Sequence, residues 1–145
     1  MNKMILCKSR LRLGTLLLCS LFGGLHLEAT AAATPLKWVQ DMEKACERNS
    51  LQDCLNLAVA YSRGDYNGKK LDRDAKLSKS YADRSIELGT NGCKQGNLKS
   101  CYTMALLYFE GGLINSDFQK SLEYGNKACV GGLKESCEWL RSSGL

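Results

Sequence analysis

The chain has 145 residues, a formal charge of +5 and eight cysteines. Residues 1–33 carry Lys3, Lys8, Arg10 and Arg12 against Glu28, so that segment holds +3 of the charge and residues 34–145 hold only +2. A length of this order allows one ordinary domain, and so small a charge does not support the strongly basic face that nucleic-acid binding needs.

The amino-terminal stretch reads as a secretory signal peptide. A basic start is followed by an apolar run from Leu13 to Leu25, then by small residues that offer cleavage after Ala31 or Ala33. The run is shorter than the ~20 residues of a spanning helix, and Gly23, Gly24 and His26 interrupt its end. A lipid anchor on Cys19 is disfavoured, because Leu18 is bulky where bacterial lipoproteins resemble one another in having Gly or Ala. The expected organisation is a cleaved signal at 1–33 and a periplasmic or secreted domain at 34–145. Removal of Cys7 and Cys19 with the signal leaves six cysteines.

Thr34-Pro35 looks like a helix start, and Val39, Met42 and Cys46 keep helical spacing after it. A helix is expected at 51–63, stopping at Gly64, with a long connection through Asp65, Asn67 and Gly68. The next helix should run from Asp72 or Asp74 to Cys93, with a possible break near Gly89 or Gly92. Further helices are expected at 98–110, 117–130 and 134–142. Strand-like alternation is absent, and Pro35 is the only proline. The class is therefore all-α.

Three cysteine pairs share one spacing of eight: Cys46 and Cys54, Cys93 and Cys101, Cys129 and Cys137. Three positions past the first member stands Asn49, Gly96 or Gly132, a residue that tolerates a left-handed backbone. Residues eight apart on one helix are about 12 Å apart along its axis, whereas a disulfide needs Cα atoms about 4.4–6.8 Å apart. If each pair is bonded, the chain must reverse between its members. Zinc sites favour closer spacings, often with histidine. Three local disulfides in an oxidising compartment are the favoured reading, although six cysteines formally allow 15 pairings.

The segment Cys54 to Gly64 lies over Cys101 to Gly111, with cysteine, alanine (Ala58, Ala105), tyrosine (Tyr61, Tyr108) and glycine all matching. A third copy starts at Cys137. The period is 47 residues from Cys54 to Cys101 and 36 from Cys101 to Cys137, a range that indicates a solenoid of helix pairs. The 11 extra residues fit either wholly in the loop after Gly64, or as about four in that loop and seven in the following helix. Tyr61-x-x-Gly64 … Asp74 … Arg84-Ser85 … Gly89 and Tyr108-x-x-Gly111 … Asp117 … Lys127-Ala128 … Gly132 resemble Sel-1-like repeats. The paired cysteines resemble the Hcp-type cysteine-rich members of that family. Departures are the 47-residue period and Ser85 in place of the usual alanine. The resemblance implies a right-handed α/α superhelix, TPR-like, with two full repeats plus partial end repeats, used as a protein-binding scaffold.

Residues 34–145 contain no histidine, which removes Ser-His-Asp and Cys-His nucleophiles and histidine metal sites. Some Hcp-type relatives are described as β-lactam-binding or hydrolysing, yet the Ser-x-x-Lys, Ser-x-Asn and Lys-Thr-Gly elements of serine lactamases do not occur. No cofactor, metal or catalytic residue is expected. The close carboxylates Glu43/Glu47 and Asp72/Asp74 read as solvated surface. Arg63-Gly64-Asp65 spells an adhesion tripeptide, but Gly64 is already explained as a turn glycine.

What remains is a binding surface. In paired-helix solenoids the first helices line a concave face. The expected line there is Gln52, Asn56, Val59 and Arg63, then Lys99, Thr103, Leu106 and Glu110, then Glu135 and Trp139. Val59, Leu106 and Trp139 could equally be inter-helix core. A second candidate is the basic stretch of Lys69, Lys70, Arg73, Lys76 and Lys79, suited to an acidic protein or a membrane surface, or simply solvated. The expected function is a non-enzymatic protein–protein module, with an immunity-like toxin-neutralising role as one specific form. The alternatives are a β-lactam-active enzyme and a secreted factor or membrane-surface adaptor.

Overall fold

A computed structural model describes residues 36–144; the signal segment, its cleavage sites and the Thr34-Pro35 helix start lie outside the described residues. The elements are α1 (Lys37–Glu47), α2 (Leu51–Arg63), β1 (Asp65–Tyr66), β2 (Lys69–Lys70), α3 (Ala75–Lys94), α4 (Leu98–Glu110), α5 (Phe118–Val130) and α6 (Lys134–Ser142). Each helix packs on the next in sequence order, so the chain is a run of helical pairs.

Local chemistry explains the boundaries. Side-chain caps from Ser50, Asp74, Asn97 and Asp117 accept the first free N–H groups of α2, α3, α4 and α5. Asn49, Gly96 and Gly132 hold φ of 69°, 89° and 104°, the left-handed residue each turn requires. The three disulfides form as expected, Cys46–Cys54, Cys93–Cys101 and Cys129–Cys137, with Cα separations of 4.8, 4.6 and 4.7 Å. Such bonds persist in oxidising, non-cytoplasmic compartments. No helix among the described residues is long and apolar enough to cross a membrane.

Two expectations change. The connection after Gly64 is not plain loop: Asp65 pairs with Lys70 and Tyr66 with Lys69 in an antiparallel hairpin. Asn67 and Gly68 turn it with φ of 51° and 78°, the positive pair that a two-residue hairpin turn demands. Helix α3 is also unbroken at Gly89 and Gly92.

The position of the 11 extra residues is resolved. Ser78 Oγ donates to Ala58 O across 20 residues of sequence, and Ser121 Oγ donates to Ala105 O across 16. Tyr61 stacks on Tyr81 and Tyr108 on Tyr124, each with centroids 5.9 Å apart. Both pairs show four extra residues before the start of α3. The other seven lengthen the helix, since α3 has 20 residues and α5 has 13.

The lengthening displaces the next repeat. A Cβ at Gly125 of α5 would lie 3.6 Å from Ala105 of α4 and 3.2 Å from Leu140 of α6. A Cβ at Gly89 of α3 would lie 3.6 Å from Leu51 and would collide with Met104. Met104 and Leu140 are equivalent positions, as are Ala58 and Ala105. Gly89 therefore faces α2 seven residues earlier than Gly125 faces α4. At 1.5 Å per residue, α4 is slid along α3 by about 10 Å.

The core is divided accordingly. Val39, Cys46, Cys54 and Leu57 form one buried cluster, Leu55, Met104 and Leu107 a second, and Cys93, Cys101 and Ala128 a third. Ser85 is buried and donates its hydroxyl to Tyr81 O at 2.8 Å, which satisfies the polar group inside the core.

Gly89→Ala should destabilise the protein by about 1–2 kcal/mol in urea unfolding, because overpacking against buried Met104 outweighs the helix-propensity gain of about 1 kcal/mol. Equal or greater stability would mean that the two helices are free to separate there. The four cysteines of the first two disulfides are buried, whereas Cys129 and Cys137 are half-buried. Under graded reductant, alkylation mapped by mass spectrometry should find Cys129 and Cys137 opened first; earlier labelling of Cys93 or Cys101 would contradict this ordering.

Candidate functional site

Helices α2, α4 and α6 share one side of the array: Leu55 of α2 packs with Met104 and Leu107 of α4, and Trp139 of α6 meets Tyr102 and Phe109 of α4. None of the ten residues predicted to line this side is buried. Asn56, Val59, Thr103, Leu106 and Trp139 are half-buried, while Gln52, Arg63, Lys99, Glu110 and Glu135 are exposed. The middle of the line is thus uncharged and the charges sit outside it. Gln52 Nε2 donates to Asn56 Oδ1 at 2.9 Å along α2.

At the α6 end stands an aromatic group that the sequence reading included only through Trp139. The Phe109 ring meets Trp139 edge-on at 5.4 Å, and Tyr102 meets it at 6.0 Å and 64°. Tyr102 and Phe109 flank Leu106 at helical spacings of four and three, which was the available signal for them. Phe109 is 40% exposed.

The basic stretch does not converge on one point. The Lys69 ammonium lies 5.8 Å from the Trp38 ring centre, and Trp38 stacks on Tyr66. Lys70 pairs with Asp65 at 3.3 Å and Lys79 with Asp83 at 2.7 Å. Arg73 Nε donates to Arg63 O at 3.0 Å. Lys76 is exposed and makes no ion pair among the described residues. In Arg63-Gly64-Asp65, Gly64 is the left-handed cap of α2 and Asp65 faces Lys70.

Glu43 and Glu47 border a shallow depression with Tyr81 and Arg84. Tyr81 donates its hydroxyl to Glu43 Oε1 at 3.1 Å. Burial first, then the Glu43 charge and hydrogen bond, hold the Tyr81 hydroxyl well above the ordinary tyrosine value. Tyr61 is raised by the same burial and by Glu43 and Asp74. Among the described residues no group of histidine, cysteine, aspartate and glutamate is placed to hold a metal ion, and all six cysteines there are disulfide-bonded.

No family model matches the chain, and no curated protein matches it. Among solved structures it is similar to a protective antigen present in uropathogenic Escherichia coli strains and displaying an SLR fold, with 19% identity and a TM-score of 0.45. The likeness covers 68% of this chain and 19% of that one, so the chain spans about a fifth of that antigen's length.

A tyrosine with a raised folded pKa adds stability that is complete below its unfolded value, near pH 10, and is lost as pH rises toward the folded value. Stability should therefore fall above about pH 10, and Tyr81→Phe should flatten that fall. An equally steep decline in the variant would dissociate it from Tyr81.

Proposed function

We propose that the chain is an exported, non-enzymatic protein-binding module of Sel-1-like repeats, of the Hcp-type cysteine-rich kind, which grips its partner along the α2/α4/α6 face. The observation that carries this reading is the half-buried line of Asn56, Val59, Thr103, Leu106 and Trp139, ending in the cluster of Trp139, Tyr102 and Phe109. An uncharged centre with aromatic anchors and a charged rim is the composition of protein interfaces. The concave, right-handed form of that face is part of the proposal. So are residues 34–145 as the mature domain and the periplasmic or secreted address.

The same face would serve an immunity-like protein holding a periplasmic toxin, an envelope scaffold or a secreted factor, and the partner's identity separates these. The enzyme reading has less support. The buried hydroxyls of Ser78, Ser121 and Ser136 each donate to a backbone carbonyl, which leaves them poor nucleophiles. The basic hairpin supports a secondary role at most, since most of its cations are already engaged.

The test is a pull-down from envelope extract and culture medium, with the oxidised protein as bait. One stoichiometric protein should be recovered, and Asn56→Ala/Thr103→Ala/Trp139→Ala should weaken its binding at least tenfold. Undiminished capture by the triple variant removes this face from the interaction. Nitrocefin turnover that depended on a single polar residue would replace the binding reading with the enzymatic one.

A further inference from the structure

The slide of α4 along α3 leaves a notch at each end of the step. At one end the chain itself narrows the notch: Leu113 and Ile114, in the connection after α4, pack beside Ile86 and Tyr108 onto the second core cluster, and a shallow groove bordered by Lys79, Asp83 and Asn115 remains beside them. At the other end the last two turns of α3 project past the α1–α2 turn. There a groove of about 490 Å³ stays open between that turn, α3 and the α3–α4 turn.

This groove is lined by four carboxamides, Asn49, Asn91, Gln95 and Asn97, over half-buried Leu51 and Leu88. Two carboxamides have their oxygens committed: Asn49 Oδ1 accepts from Arg84, and Asn97 Oδ1 accepts from Ser100 N. The N–H₂ group of each makes no hydrogen bond among the described residues. Asn91 and Gln95 are exposed and make no side-chain hydrogen bond among the described residues, so each offers both a donor and an acceptor. The two charges on the wall, Arg84 and Glu87, pair with each other at 2.6 Å. Among the described residues no aromatic ring lines the groove.

We infer that this notch is a binding site for a short, uncharged, extended peptide segment of a partner protein. A carboxamide presents the same donor–acceptor pair as a peptide unit, so it can satisfy both backbone groups of an extended chain at once. The neutral walls give no attraction to a charged ligand, and the absence of a ring removes the stacking platform by which sugars are commonly held. From Arg84 to Gln95 is about 16 Å along α3, room for roughly five extended residues. The site stands apart from the α2/α4/α6 face and does not depend on what that face binds.

The test is selection of uncharged random heptapeptides, displayed on phage, against the oxidised protein, followed by calorimetry with the synthetic winners. Their affinity should fall at least tenfold in Asn91→Ala/Gln95→Ala, and likewise when a central backbone nitrogen of the peptide is methylated. It should be unchanged in the Asn56→Ala/Thr103→Ala/Trp139→Ala variant. Both groove substitutions are at exposed positions, and an unchanged melting curve verifies the fold. No enriched peptide, or peptides indifferent to Asn91 and Gln95, overturns the assignment. Chitotetraose is the parallel probe: its binding, lost in the groove variant and without any peptide binding, would assign the notch to glycans instead.

Discussion

The structure depends on helices that approach closely enough for a serine hydroxyl of one to reach a backbone carbonyl of another. Ser78 reaches Ala58, Ser121 reaches Ala105 and Ser136 reaches Gly125, at 2.8–2.9 Å. Bulky side chains at these seams would hold the backbones apart; Ala58, Ala82, Ala105 and Ala128 and the glycines at 89 and 125 permit the contact. A repeat array has no central core to draw its parts together, so each seam must be specified locally. The hydroxyl sets the register at the α2/α3, α4/α5 and α5/α6 seams, and the disulfides keep the α1–α2, α3–α4 and α5–α6 turns from opening. These are separate constraints. The disulfide limits the unfolded chain, whereas the serine contact selects one alignment within the folded one.

That separation explains how the first repeat accepts a longer helix. Seven residues turn a helix by about 20° less than two full revolutions. A heptad added to α3 therefore returns Cys93 to nearly the face it would otherwise occupy, and the bond to Cys101 still forms. What changes is the axial level of everything that follows. The serine contact at the start of α3 is unaffected, since Ser78 lies before the addition. The slide is accommodated at Gly89, where Met104 takes the space that a side chain would fill.

Helices 51–63, 98–110 and 134–142 were legible to the residue, because a left-handed turn residue and a first-turn cysteine mark each start, and Gly64 and Gly111 mark the ends of the first two. The local disulfides were the favoured reading of the repeated spacing together with the turn residues Asn49, Gly96 and Gly132 inside the pairs. The division of the 11 added residues was not drawn, for a physical reason: a heptad preserves the hydrophobic face, so periodicity cannot distinguish a longer helix from a longer loop. The separating signal was the offset of 43 residues from Asp74 to Asp117 and from Ser78 to Ser121, against 36 from Cys93 to Cys129. The hairpin had its signal in Asn67-Gly68, but with only two residues per strand there was no alternation to read beside it. Of the candidate face, the half-buried line was legible from repeat arithmetic. Tyr102 and Phe109 lay one row over, at positions occupied by Leu55 and Ser62 in the first copy, so repeat matching passed them by.

The departures from strict repetition, more than the repeats, decide what the molecule can hold. In the second copy, α5 carries α6 in register with α4, and Gly125 lets Trp139 and Leu140 settle against it. That alignment brings Trp139 to Phe109 and Tyr102 and builds the aromatic end of the face. In the first copy the added heptad withdraws α4 from α2 by two turns and leaves grooves at the step. One notch is narrowed by apolar residues of the chain itself, Leu113 and Ile114, which pack onto the second core cluster. The other is lined with carboxamides, which gain little from burial against one another and retain free hydrogen-bonding groups. Leucines at those positions would have had every reason to collapse and close the step. Asparagine and glutamine hold it open to water, and so to whatever can replace that water group for group.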